Sequence, residues 1–135
     1  METTDRLTGE TFVHAIFPNA VNQARVAAYN LLGWDVTYEG SDNMNSLKHL
    51  GLQVMAVGLK EGDEILQEKR DGTLRTIYVK ENHLVGFQLA GDIRGAGILR
   101  TLMIQGTDIR PIKDRLLDPS FGQGAMVWRA IESYA

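Results

Sequence analysis

Between residues 17 and 33 the apolar positions Ala20, Val21, Ala24, Ala27, Ala28 and Leu31 recur at intervals of three and four, which predicts one amphipathic helix. Pro18 fits its first turn, where a missing N–H costs nothing. Gly33 suits its C-terminal cap. The face is rich in alanine and fits close packing against a backbone or a flat surface. Residues 1–11 are polar, unpatterned and read as a loop. Residues 35–45 carry Gly40, Ser41 and Asn43 and read as a linker or extended arm.

From residue 50 the period changes. Leu50-Gly-Leu-Gln-Val-Met-Ala-Val-Gly58 is rich in β-formers, Glu61-Gly62-Asp63 signals a turn, and residues 65–69 form a short polar strand. Asp71-Gly72 carries a hairpin signature, and residues 73–79 alternate with β-branched and aromatic side chains. Glu81-Asn82-His83 is a tight turn, and residues 84–90 are a further strand. These segments predict about four antiparallel strands arranged as a meander. Gly91, Gly95 and Gly97 then break the sheet pattern. Ile98, Leu99, Leu102, Met103 and Ile104 predict a helix closed by Gly106, and a second short helix runs over residues 109–117 until Asp118-Pro119 stops it. Residues 120–135 read as a tail with helical character. The expected class is α+β: an antiparallel sheet of about four strands with helices on one face, preceded by the N-terminal helix.

Composition narrows the partners. The 135-residue chain is 44% hydrophobic and 23% charged, a globular balance for one compact domain with an appended segment. Its net charge of -3 argues against nucleic acid as the main partner. There is no cysteine, which excludes thiolate catalysis and disulfides within this chain and is compatible with a cytoplasmic setting. No apolar run is long enough to span a bilayer, and the polar, acidic N-terminus does not read as a signal peptide.

Candidate chemistry is sparse. His14, His49 and His83 lack the short spacing of metal motifs, so no metal site is predicted, and His83 is expected to be exposed in its turn. No nucleophile elbow is present, and the carboxylates are scattered. The run from Gly91 to Gly97 follows a strand and opens a helix, as a phosphate loop does, with Arg94 available to an anion. Arg100 stands where a dinucleotide fingerprint needs glycine, and the same glycines equally serve a sharp turn. Arg110, Lys113 and Arg115 alternate with Asp108, Asp114 and Asp118, as on a solvated helix face. Trp34 and Trp128 are interface anchors or core residues. The first helix offers free N–H groups and about half a positive charge at its N-terminus. A flavin, which gains charge at its N1–C2=O edge on reduction, is the kind of ligand such a terminus stabilises; a plain packing helix is the other reading.

Three segments, Asp5-Arg-Leu-Thr-Gly-Glu10, His14-Ala-Ile-Phe-Pro-Asn-Ala20 and Gln23-Ala-Arg-Val-Ala-Ala-Tyr-Asn30, resemble in their order the end of the FAD domain in pyridine nucleotide-disulfide oxidoreductases. Tyr78-Val-Lys80, the stretch from Leu84 to Asp92, and Leu116-Leu-Asp-Pro-Ser-Phe-Gly122 resemble the C-terminal domain of the branch related to the nitrite reductase large subunit and NADH–rubredoxin reductase. The resemblance covers about the first 122 residues. It implies that residues 1–33 finish an FAD-binding domain, that residues 34–119 form an α+β interface domain, and that residues 120–135 are a tail. It further implies that Phe17, Pro18, Asn19 and Ala20 line the isoalloxazine of FAD. The family commonly has glycine after the helix glutamine, where this chain has Ala24.

FAD and NAD(P)H would be cofactors of the parent enzyme, and upstream FAD- and NAD-binding domains its missing partners. A homodimer fits, and the fragment alone is expected to be inactive. The alternatives are a stand-alone interaction or dimerisation module and, more remotely, a small hydrolase using an unrecognised carboxylate.

Overall fold

The computed structural model describes residues 2–122. The expected tail helix and Trp128 lie outside the described residues. The elements are β1 (Thr3–Thr4), β2 (Thr11–Phe12), α1 (Phe17–Leu31), β3 (Met44–Leu47), β4 (Val54–Gly58), β5 (Glu64–Arg70), β6 (Thr73–Lys80), β7 (His83–Ala90), α2 (Ala96–Ile104) and a 3-10 helix, Arg110–Arg115. The chain divides into two compact units after residue 45.

The first unit is built largely from polar ties. Asp5 Oδ1 accepts the amides of Leu7 at 2.9 Å and Thr8 at 3.0 Å. This Asx-type turn reverses the chain, so β1 pairs antiparallel with β2 in the register Thr3↔Phe12. The segment read as a loop is thus partly a hairpin, because its order comes from side-chain-to-backbone bonds that hydropathy does not register. Residues 35–45 are likewise no free arm. Ser41 is fully buried, with its Oγ 2.5 Å from Thr3 Oγ1 and 2.9 Å from Tyr38 Oη. Its amide donates to Thr4 O at 2.8 Å.

Helix α1 begins as read, with Pro18 in its first turn, and Gly33 follows its end at φ 83°. Past the helix, Asn30 Nδ2 donates to Val36 O and Val36 N to Asn30 Oδ1, both at 2.9 Å. Asn19 is the one buried residue of α1, and its positions Ala20, Val21, Ala24, Ala27, Ala28 and Leu31 are all exposed.

The second unit carries a conventional core. The sheet order is β3-β4-β7-β6-β5. The four expected strands are present, but they are not a simple meander. β5, β6 and β7 follow one another, while β4 pairs with β7 instead of β5. Composition explains the choice. The apolar Val-Met-Ala-Val-Gly of β4 sits against the central strand, and the polar Glu-Ile-Leu-Gln-Glu-Lys-Arg of β5 sits at an edge, where charge discourages further pairing. The turns are as read: Asp71, Glu81 and Asn82 all have positive φ, which two-residue hairpin turns require. Gly86 permits a close crossing, since a Cβ there would lie 1.9 Å from Leu59 O.

By register Val57, Ile77, Phe87 and Leu89 share one face of the sheet, and all are buried. Helix α2 packs on β7 and buries Ala96, Leu99, Leu102 and Met103. The second predicted helix is a 3-10 turn, with Pro111 at its start denying an N–H to a longer ladder. Its flanks bury Ile109 and Leu116 completely. Arg75 joins these layers from inside. Its Nε donates to Leu116 O at 3.0 Å, and its terminal nitrogens donate to Arg94 O at 3.1 Å. Burial lowers its pKa, while Asp92 and Asp118 nearby act in the opposite direction.

Candidate functional site

The start of α1 has no side-chain cap. Ile16, at φ -120° and ψ 147°, caps the helix without a side-chain bond, and no acidic residue lies in the first turn. Ala20 N reaches Ile16 O at 3.1 Å. The amides of Phe17 and Asn19 precede the first full helical bond and have no carbonyl one turn back to meet. The positive end of the helix is therefore not neutralised within its own first turn.

A cleft of about 370 Å³ opens here, lined by Val13, His14, Ala15, Ile16, Phe17, Ala20 and Gln23. Of the four residues singled out by resemblance, Phe17 and Ala20 line it, and Phe17 is 81% exposed. Pro18 is exposed beside it. Asn19 turns its side chain the other way. Its Nδ2 donates to Asp42 O at 3.0 Å, and its Oδ1 faces Asp42 N at 3.4 Å. Asn19 thus fastens residue 42 to the helix and is not among the residues lining the cleft.

His14 is a cleft residue that its spacing from other histidines did not reveal. Its side chain is only 10% exposed, and Nε2 lies 2.9 Å from Asp5 Oδ2, close in distance but without hydrogen-bond alignment. Phe12 stacks on its ring at 5.9 Å. A sequence signal existed: Asp5, followed three residues later by Thr8, has the form of an Asx turn. The pairing with His14 depended on a two-residue hairpin too short to read.

The other candidates are engaged elsewhere. Arg94 clamps Asp92, with Nη2 to Oδ2 at 2.6 Å and Nε 3.0 Å from both oxygens. That clamp holds the Asp92 carboxyl down at about 2. The glycine run is a turn, with Gly91 at φ 78° and Gly95 at φ 77°. Arg110 clamps Asp108 in the same way and lowers it to about 2. Lys113 pairs with Glu64, and Arg115 lies 5.7 Å over the Phe121 ring. His83 is half-buried and bridges to Asp108 through the backbone. Trp34 is exposed and stacks on Tyr29 at 5.1 Å, so it is not core. Among the described residues no group of His, Asp and Glu is arranged to hold a metal ion. No helix among them is long and apolar enough to cross a membrane.

No family model matches the chain. It is 26% identical to the epsilon subunit of NADH-dependent phenylglyoxylate dehydrogenase from Aromatoleum evansii, over 90% of this chain and 32% of that protein. Among solved structures it resembles an NAD-dependent persulfide reductase from A. fulgidus, with a TM-score of 0.69 at 16% identity, over 84% of this chain and 25% of that one. It also resembles NADH:rubredoxin oxidoreductase from Clostridium acetobutylicum, with a TM-score of 0.56 at 18% identity, over 74% of this chain and 27% of that one. The chain therefore spans about a third of the curated relative and about a quarter of each of these structures. The resemblance seen in the sequence is borne out: the chain is similar to a fragment of NADH-dependent oxidoreductases.

Proposed function

We propose that this chain is the C-terminal part of an FAD- and NAD(P)H-dependent oxidoreductase that works in the cytoplasm. Residues 1–33 finish the FAD domain and residues 34–119 form the interface domain. The carrying observation is α1, which has an uncapped N-terminus lining a cleft and an apolar face left bare along its length. A helix with a polar and an apolar side is stable when the apolar side is covered. An upstream dinucleotide-binding domain is the cover this reading assigns.

The residues present fit one edge of a flavin and no more of it. The free first-turn amides suit an electron-rich carbonyl, and Phe17 and Ala20 suit the flat ring. When bound, FAD supplies acceptance of hydride from the nicotinamide and passage of its electrons onward. This chain's own contribution is to hold the pyrimidine edge, place positive potential beside it and exclude water from one side. Alone the chain is inactive on this reading, because the rest of the cofactor surface belongs to other domains.

The test is to read the coding sequence upstream of Met1 and purify the complete product. A yellow protein bleached by NADH, with the 135-residue chain colourless and inert, is the expected pair of results. A stop codon directly upstream, or a complete product that takes up no flavin, overturns the reading. In that case a stand-alone dimerisation module takes its place, favoured by the exposed Leu31, Leu32 and stacked Tyr29–Trp34 at the far end of α1. Sedimentation of the chain alone reads that outcome directly.

A further inference from the structure

The sheet of the second unit ends in two edges of different character. β3, at one end, is four residues long and carries no charged side chain. β5, at the other, is seven residues long and its charges are ordered: Glu64 opens it, Glu68 and Lys69 stand near its close, and Arg70 ends it. Among the described residues no strand pairs with its outer side. Charge on an edge deters most partners. It also selects, because a strand whose charges fall opposite their complements is accepted where others are repelled.

The backbone of this edge is presented in a fixed phase. The β5–β6 hairpin closes on Arg70↔Thr73 across the two-residue Asp71-Gly72 turn. Such a turn brings the first carbonyl to the fourth amide, so Arg70 belongs to a hydrogen-bonded pair with β6. The register then runs unbroken back to Glu64↔Val79. Successive residues turn their peptide groups to opposite sides. Arg70, Glu68, Leu66 and Glu64 therefore bond to β6, and Ile65, Gln67 and Lys69 turn their N–H and C=O groups outward. The side chains of these three are exposed, Ile65 by 56%.

We infer that β5 pairs antiparallel with β5 of a second copy of this chain, about a two-fold axis through Gln67, so that the sheet continues from one molecule into the next. In that register Gln67 faces Gln67 of the second copy and Ile65 faces Lys69, which joins the outward peptide groups in hydrogen-bonded pairs. Glu64 falls opposite Arg70 at each end, and Leu66 opposite Glu68. The Lys69 stem covers the exposed Ile65, as long cationic side chains do. No like charges stand directly opposite. The alternatives are worse. Moving the axis by one residue sets Glu64 opposite Glu68, or Glu68 opposite itself, and like charges so placed are destabilising. A parallel arrangement sets each charge beside its own copy. The inference concerns a different surface from the α1 cleft and does not depend on the flavin reading.

The experiment exploits the lack of cysteine in the chain. Gln67→Cys puts one thiol on the axis, where the Cα atoms of a hydrogen-bonded pair lie about 5.5 Å apart, within disulfide reach. It should cross-link to a covalent dimer under a mild oxidant. Ile65→Cys should not, because its two copies stand four residues apart along the strands, roughly 14 Å. Sedimentation of the 135-residue chain over a concentration series gives a second reading. The wild type should self-associate. Arg70→Glu and Glu64→Arg should each weaken that association about tenfold, since symmetry places the reversed pair twice. Mixing the two variants should restore it, because each charge then meets its opposite. A wild type that stays monomeric throughout the series overturns the inference. So does a dimer that is indifferent to the reversals, or cross-linking that is equal at the two cysteine positions. If a reversal costs the chain its fold, the contrast between Gln67→Cys and Ile65→Cys decides alone.

Discussion

The two compact units solve opposite problems with the same chain. In the second, Ile77, Phe87, Leu99, Ile109 and Leu116 are all fully buried, and the sheet and α2 close over them. In the first, α1, the longest helix among the described residues, buries only Asn19, and order comes from Asp5, Asn19 and Asn30 side chains bonding to backbone and from Ser41 Oγ bonding to the Thr3 and Tyr38 hydroxyls. The second unit is furnished with a core of its own. The first leaves the apolar side of its helix exposed. Core burial reports where stability resides, and the bare helix marks the apolar surface that the first unit leaves uncovered.

Several substitutions would break or sharpen that contrast. The largest effect is expected at Phe87, which is 0% exposed. Phe87→Ala should cost about 3–5 kcal/mol in urea unfolding of the second unit, by lost burial and a residual cavity. Arg75→Met comes next. It leaves the Leu116 and Arg94 carbonyls without their buried donor, and it should cost about 1–3 kcal/mol on the same transition. Leu31→Glu on the bare face should change the stability of the chain by no more than about 0.5 kcal/mol, as exposed sites do. On the proposed reading it should nonetheless weaken assembly with upstream domains, read as lower flavin content in the complete product. A large destabilisation of the chain alone by Leu31→Glu would show that the face is already covered and would remove the contrast.

The smallest effect is electrostatic. Asp92 and Asp108 are held at about 2 by their arginines, against an ordinary value of 3.8. Their folded values are depressed, so their contribution is present above about pH 4 and lost as pH falls toward about 2. Both pairs are solvent-facing, so the loss is slight. Arg94→Gln combined with Arg110→Gln should flatten that limb of the stability profile and leave neutral pH nearly unchanged.

Hydrophobic period was enough to locate α1, the four longer strands and α2, because each is long relative to its repeat and bounded by Gly or Pro signals. Strand order was not legible. β4 and β5 both read as strands, and only the contrast between an apolar and a polar strand, weighed against a central hairpin, places them on opposite sides of β6 and β7. The site was legible only in part. Pro18 announced the helix start, but the Asp5–His14 pair rests on a hairpin of two-residue strands. The resemblance implied that Asn19 faces a ligand, and its side chain bonds to residue 42. Polar side chains bonding to backbone leave no periodicity, and that is how the first unit is made.

Ser41 gives the first unit an unusual topology. Its amide meets Thr4 O, and its carbonyl receives the amide of Arg6, so the outgoing strand runs parallel to the incoming one. The chain leaves in the direction it arrived, displaced by one strand spacing of about 4.8 Å. Residues 5–40 are in that sense a detour from an otherwise continuous path. Such a detour is portable: the whole helix-bearing excursion could be excised by joining Thr4 to Ser41, or grafted into another scaffold that offers two neighbouring parallel positions. The helix-bearing surface is thereby spliced into the chain at a single point.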